Sequence, residues 1–306
     1  MFSVTDKYPN LAKMVRYQLA AFPEHESYFE RRFAGMDEAR FQFDEDIAEK
    51  VLRIAGPKIE RVCDDYRWLC GEMLNEELVF RRTGRYRLST FEQALSEVYA
   101  NHDYMARYMN GVLASQLWWD NHNAALRYFH DTFVRGNPRG FSHLEVGPGH
   151  GLYLHLAAES ENCAAAQGWD VSDASLEATR AALTAMGSGP EIHLRKVDLL
   201  QDSSEGSFHS ITFSEVLEHL EEPVRALRKL HGLLTKGGRI FINAPVNSPA
   251  PDHIYLFNTP EEVVVMVESA GFKVQETLFA PCTGATLERA RRLKLSISAV
   301  VIATKN

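Results

Sequence analysis

The stretch His143-Leu144-Glu145-Val146-Gly147-Pro148-Gly149-His150-Gly151 runs from an apolar strand into a glycine loop, with a helix expected from about Leu152. Glycines at 147, 149 and 151 let the backbone approach a ligand closely, and the helix N-terminus behind them supplies unpaired N–H groups. Two ligands suit such a loop, and a tight turn without a ligand is the third reading. A dinucleotide pyrophosphate asks for G-x-G-x-x-G. The spacing here is G-x-G-x-G, with Glu145 two residues before the first glycine. An acid so close repels a pyrophosphate, whereas it can accept from a cationic amino acid, directly or through water.

Two acids downstream bear on the choice. Trp169-Asp170-Val171-Ser172 puts a carboxylate at the end of a second strand, where it can hold both hydroxyls of a ribose. Val197-Asp198-Leu199-Leu200 ends a third strand with an acid beside apolar residues, which suits an adenine edge against a greasy wall. Each acid alone reads as a solvated loop residue. At the carboxyl ends of consecutive strands they form one crevice. Strands are expected over 141–146, 167–171, 192–197, 208–213, 239–243, 272–278 and 295–303. Helices are expected from 152 and over 173–186, 223–234 and 261–270. That alternation predicts a mostly parallel α/β sheet, doubly wound, with helices on both faces.

These motifs resemble those of the class I S-adenosylmethionine-dependent methyltransferases, and the resemblance covers residues 141–304. HLEVGPGHG resembles the family's first motif, GWDVSDASLEATRAAL its second, and VDLL its adenine-contacting segment. ITFSEVLEHLEEPVRALRKLHGLLTKGGRIFINAP is similar to the fourth-strand, helix and fifth-strand region, and LFNTPEEVVVMVESAGFKV to the stretch before the sixth strand. The resemblance implies a Rossmann-like seven-stranded sheet with an antiparallel last strand. It implies S-adenosyl-L-methionine as cofactor and S-adenosyl-L-homocysteine as product. The cofactor contacts it implies are Glu145, Gly147, Gly149, Gly151, Asp170, Val171, Asp198, Leu199, Ser214 and Glu215.

Methyl transfer from a sulfonium is an in-line displacement on an activated carbon, so holding donor and acceptor together can supply most of the rate. A base is needed only where the acceptor must lose a proton. In Ser214-Glu215-Val216-Leu217-Glu218-His219, His219 follows the fourth strand, and its pKa suits it as the base. A histidine packing or capping the next helix is the alternative. Glu215, Glu218 and His219 also resemble the E-x-x-E-H motif of the small-RNA 2′-O-methyltransferases, in which a downstream histidine completes a divalent-metal site. His253, in Pro251-Asp252-His253, stands in a comparable place, so the possible metal set is Glu215, Glu218, His219 and His253. Without a metal, EVLEH fits small-molecule methyltransferases equally well, and that is the reading favoured.

Upstream of a turn cluster at Gly136-Asn137-Pro138-Arg139-Gly140, glycine is sparse and apolar residues recur at three and four. Residues 1–140 are therefore expected to form a mainly helical unit, and 141–306 the cofactor-binding one. Asp44-Glu45-Asp46 read as the acidic start of a helix that Gly56-Pro57 ends. Residues 78–89 read as a hairpin turning at Gly84, which looks like the wing of the winged-helix domain in small-molecule O-methyltransferases. Residues 104–129 resemble the helices preceding the core of those enzymes, in a stripe interrupted at Gly111. The resemblance implies a homodimer in which this unit covers the acceptor, with Tyr104, Tyr108, Trp118, Trp119 and His122 as candidate pocket residues. Ordinary helical core is the alternative for those aromatics.

With 306 residues, 45% hydrophobic and 24% charged, the chain has the composition of a folded globular protein. Its 33 basic and 41 acidic residues give a net charge of −8, which argues against nucleic acid as a partner. Cys63, Cys70, Cys163 and Cys282 form no C-x-x-C pair, and neither a leader nor an 18-residue apolar run is visible. A cytoplasmic enzyme methylating a small molecule, in secondary metabolism, is expected. A peptide, protein or RNA acceptor, or a non-catalytic cofactor-binding subunit, are the alternatives.

Overall fold

Pro9 opens the first helix, where its missing N–H leaves no partner wanting. This helix, α1 (Pro9–Ala21), is followed by α2 (Glu26–Phe33) and α3 (Glu38–Ala55). The computed structural model describes residues 7–189, 192–201 and 206–306, so Met1–Asp6, part of the segment read for a leader, lie outside the described residues. Helix α3 begins earlier than its acidic run suggests, because Asp37 caps it by accepting from the Arg40 N–H at 2.8 Å. Asp44-Glu45-Asp46 consequently sit inside the helix rather than at its start. Glu45 instead serves the N-terminus of α1, accepting from the N–H groups of Asn10 and Leu11 at 3.0 and 2.8 Å.

After the break at Gly56, α4 (Ile59–Thr83) runs on through the segment expected to form a hairpin. Leu78-Val79-Phe80 are helical, and Gly84 ends the helix in a left-handed conformation with its N–H on the Phe80 carbonyl. A run of three apolar residues suits either periodicity, and Phe80 extends the buried stripe of Val62, Tyr66 and Leu69. There is no wing. Helices α5 (Phe91–Ala94), α6 (His102–Trp118) and α7 (Asp120–Tyr128) follow, with a wider helical turn over Phe129–Val134. Gly111 does not interrupt α6. A Cβ there would stand 2.7 Å from the Leu69 Cβ, so the glycine lets α6 press against α4. The break falls at Trp119 instead, where ψ turns extended at 124°.

The rest of the chain alternates β1 (Phe141–Val146), α8 (Leu152–Ala158), β2 (Cys163–Asp170), α9 (Asp173–Met186), β3 (Ile192–Lys196), β4 (Phe208–Ser214), α10 (Pro223–Leu233) and β5 (Leu234–Val246). It closes with α11 (Pro260–Ser269), β6 (Lys273–Pro281), α12 (Leu287–Leu293) and β7 (Ile297–Thr304). Among the described residues these strands form one seven-stranded sheet in the order β3-β2-β1-β4-β5-β7-β6. The β1–β2, β1–β4, β2–β3 and β4–β5 pairs are parallel, and β7 lies antiparallel between β5 and β6. The order reverses between β1 and β4, which opens a crevice beyond their carboxyl ends.

One hydrophobic core joins the N-terminal helices to one face of this sheet: Phe129 and Phe133 meet Phe241 with ring centroids 5.1 and 5.5 Å apart. The other face packs Ile211, Phe213 and Ile242 against Leu227 and Leu230 of α10 and Val263 and Val267 of α11. The helical cover is thus anchored directly on the sheet that carries the crevice.

Candidate functional site

Strand β1 delivers Glu145 to the crevice with its side chain buried and Oε2 without a hydrogen-bond partner. Burial raises its carboxyl well above the usual range. Behind it, Gly147, Gly149 and Gly151 all take left-handed backbone conformations, with φ of 72°, 49° and 75°. A Cβ on Gly147 would lie 2.8 Å from the Val216 side chain, and one on Gly149 3.3 Å from the Met109 methyl of α6. All three positions therefore favour glycine by conformation, and Gly147 by space as well.

Asp170, at the end of β2, accepts from the Ser172 N–H at 2.8 Å and the Ser175 hydroxyl at 2.9 Å. Each oxygen keeps a further lone pair. Asp198 turns the chain after β3, its Oδ1 accepting from the N–H groups of Leu200 and Gln201. Leu199 beside it is buried, and Val171 is exposed. From β4, Ser214 Oγ and Glu215 Oε1 both accept from Asn243 Nδ2, at 3.2 and 2.7 Å. Glu215 is a non-glycine residue at φ 54°, and burial pushes its carboxyl up to about 8. A buried carboxylate with one unpartnered oxygen, a loop of three left-handed glycines, and a strand-end acid suited to a diol together fit S-adenosyl-L-methionine.

A second cluster lies at the same end of the sheet. Glu218 and His219 sit on a short turn (Leu217–His219), and His253 follows β5. The N–H groups of Ile254 and Tyr255 donate to the Glu218 carbonyl at 3.0 and 2.9 Å, which ties the two loops together. His219 Nε2 and His253 Nε2 stand 3.6 and 3.9 Å from Glu218 Oε1. One ligand atom from each of the three lies within 4.8 Å of the other two. That group of three does not include Glu215, the fourth member of the set read from sequence, whose Oε1 accepts from Asn243.

The aromatic candidates do not form one wall. Tyr108 donates to Asp252 Oδ1 at 2.9 Å, and Tyr104 stacks beside it at 6.4 Å while donating to Glu72. Trp118 is buried in the helical core, 4.7 Å from Phe29, with its indole N–H on Gln18. Trp119 donates to the Tyr66 hydroxyl, and His122 bonds Ser115. Sequence reading missed Tyr99, which donates to Asp252 Oδ2 at 3.3 Å and lies 3.2 Å from His219 Nδ1. No sequence signal marked it. Asp252, joining Tyr99 and Tyr108, was flagged only as a neighbour of His253.

This arrangement defines a Rossmann-like methyltransferase fold. Residues 144–240 match the family described as "Methyltransferase domain". Among proteins of known name, the chain is 29% identical over 150 residues to a ubiquinone biosynthesis O-methyltransferase of Pseudomonas paraeruginosa, a match covering 46% of this chain and 61% of that one. It is 32% identical over 119 residues to the namesake of Xanthomonas axonopodis pv. citri, covering 38% and 48%. The chain thus spans about 61% or less of the length of these two relatives. The solved pyocyanin biosynthetic protein PhzM superposes with a TM-score of 0.54 at 18% identity, over 80% of this chain and 72% of its own, which is a likeness of fold. Among the described residues, no helix is long and apolar enough to cross a membrane.

Proposed function

We propose that this protein transfers a methyl group from S-adenosyl-L-methionine to a hydroxyl of a small-molecule acceptor. The cofactor supplies a carbon already activated by its sulfonium. Glu145 and the backbone of Gly147, Gly149 and Gly151 hold its amino-acid end, Asp170 its ribose, and Asp198 with Leu199 its adenine. Glu218, His219 and His253 stand on the acceptor's side, with Tyr99 and Tyr108 behind them. The observation that carries this reading is the buried Glu145 carboxylate, its Oε2 without a partner, at the foot of a loop whose three glycines all take left-handed conformations. Titration calorimetry with S-adenosyl-L-homocysteine tests it. Asp170→Ala and Gly149→Arg should each weaken binding ~10-fold or more, about 1.4 kcal/mol. Unchanged affinity in both variants overturns the assignment.

The same proposal places the enzyme in the cytoplasm, in secondary metabolism, as a homodimer built through residues 1–135. Its support for the dimer is exposed apolar side chains on the helical part: Leu74 and Leu78, one turn apart on α4, are 59% and 61% exposed, and Phe91 and Leu95 are exposed as well. Light scattering should report twice 34.6 kDa, and a monomeric mass at micromolar concentration refutes the dimer.

A further inference from the structure

Asp252 follows β5, is 3% exposed, and has both carboxylate oxygens held by the helical part of the chain. The Tyr108 hydroxyl of α6 donates to Oδ1 at 2.9 Å. The Tyr99 hydroxyl, from a wider helical turn over Leu95–Tyr99, donates to Oδ2 at 3.3 Å. Turns of that kind are rare and fall often at functional sites. The same stretch of chain grips the rest of the loop. Arg87 Nη2 donates to the Pro251 carbonyl at 3.2 Å, and the Tyr86 hydroxyl accepts from the Ser248 N–H at 3.1 Å. Among the described residues the ion-pair neighbour of Asp252 is His219, whose Nδ1 lies 3.7 Å from Oδ2.

Two oxygens stand closer to that nitrogen. The Asp252 carbonyl is 3.1 Å from His219 Nδ1, and the Tyr99 hydroxyl is 3.2 Å from it. A carbonyl only accepts, and the Tyr99 hydrogen is committed to Asp252 Oδ2, so the tyrosine oxygen accepts as well. In the neutral ring the hydrogen therefore sits on Nδ1, and Nε2 presents a lone pair. The opposite tautomer would turn a lone pair onto the carbonyl and draw Tyr99 off a buried carboxylate, where a lost donor is costly. We propose that Asp252, clamped by Tyr99 and Tyr108, is a positioning residue that fixes the ring of His219 with Nε2 bare. The side chain of His219 is 22% exposed, so an acceptor can reach the ring. In methyl transfer the acceptor oxygen forms the O–C bond, the C–S pair stays on sulfur, and Nε2 takes the hydroxyl proton. The ring then carries a positive charge, which the Asp252 carboxylate 3.7 Å away offsets. Through two tyrosines the helical part thus supplies some of the proton-accepting apparatus and is more than a cover. That use rests on the methyl transfer proposed above, whereas the tautomer does not.

The test is nuclear magnetic resonance on the full chain carrying ¹⁵N-labelled histidine, with the His219 signals identified by their loss in His219→Gln. At pH 8 the long-range ¹H–¹⁵N spectrum should show His219 protonated at Nδ1 and bare at Nε2. Tyr99→Phe removes one acceptor from Nδ1 and one donor from Asp252. It should lower the ratio of that tautomer to the other about fivefold, the worth of one hydrogen bond of ~1 kcal/mol. Asp252→Asn places an amide N–H group near Nδ1 and should reverse the preference, leaving Nε2 protonated. Tyr128→Phe, at a hydroxyl that donates to Glu276 instead, should leave the ratio unchanged. Affinity for S-adenosyl-L-homocysteine should change less than threefold in Tyr99→Phe and Asp252→Asn, which shows that the cofactor side stays intact. If Asp252→Asn does not fold, Tyr99→Phe carries the test. A parent His219 protonated at Nε2, or a tautomer ratio unchanged in folded Tyr99→Phe, overturns the proposal. Failure of the unaltered protein to bind S-adenosyl-L-homocysteine would overturn the methyltransferase reading while the tautomer result still stands.

Discussion

Arg32 and Asp44 show how individual side chains hold the cover in place. Both side chains are fully buried, 3.0 Å apart, and join α2 to α3. Asp44 also accepts from Asn123 Nδ2 of α7 at 2.8 Å, and Arg32 Nε reaches Asp120 of α7 at 3.2 Å. A buried ion pair adds little over a well-packed apolar pair, but removing one partner strands the other charge. Asp44→Ala is expected to lose about 3–5 kcal/mol of stability. The double variant Arg32→Met with Asp44→Leu should recover most of that. Urea midpoints of the three proteins decide it: an Asp44→Ala variant within 1 kcal/mol of the parent, roughly the worth of an exposed ion pair, would mean the pair is effectively solvated.

The contact between α4 and α6 makes a prediction at the scale of elements. Gly111→Ala gains up to about 1 kcal/mol in helix propensity. The added methyl, however, would meet Leu69 Cβ at 2.7 Å, Leu69 Cδ2 at 2.8 Å and the Asp65 carbonyl at 3.2 Å. Overpacking of that kind typically costs about 1–3 kcal/mol, so the variant should melt below the parent in calorimetry. An equal or higher melting temperature would show that the helices can move apart freely. This glycine also shows what the sequence hid. Its role depends on Leu69, 42 positions away, so read locally it passes for a helix break. The 78–89 hairpin failed for a related reason: three consecutive apolar residues fit both periods, and only the buried stripe ending at Phe80 decides for helix. The α/β part was legible because each strand is a short apolar run between turn residues, and because its acids fall where strands end. Among the candidate site residues, Glu145, Asp170 and His219 were readable from their places at the ends of strands, and Glu218 and His253 from a resemblance. Tyr99 was not, since it arrives from a separate helix.

Taken as a whole, the molecule should lose stability in mild acid because burial lowers the pKa of several of its histidines, and the share of one of them, His143, can be isolated. His143 is 1% exposed, its ring between the Ser210 hydroxyl at 3.0 Å and the Thr212 hydroxyl at 3.3 Å. Burial lowers its pKa to about 3, against about 6.5 for the unfolded chain. Above pH 6.5 both states leave it neutral, and it contributes nothing to the pH dependence. Below that value the unfolded chain takes up a proton that the folded protein refuses. Stability then falls by about 1.4 kcal/mol per pH unit until pH approaches 3. The raised carboxyl of Glu145 acts the other way, because the folded protein binds that proton first as the pH drops. The overall slope therefore mixes opposing contributions, and the informative quantity is the difference between parent and variant. His143→Gln keeps groups able to bond both hydroxyls but cannot titrate. Between pH 7 and pH 5 the parent should lose about 2 kcal/mol more than this variant, read from urea midpoints at the two pH values. Parallel losses in the two proteins would mean that His143 accepts its proton inside the folded sheet.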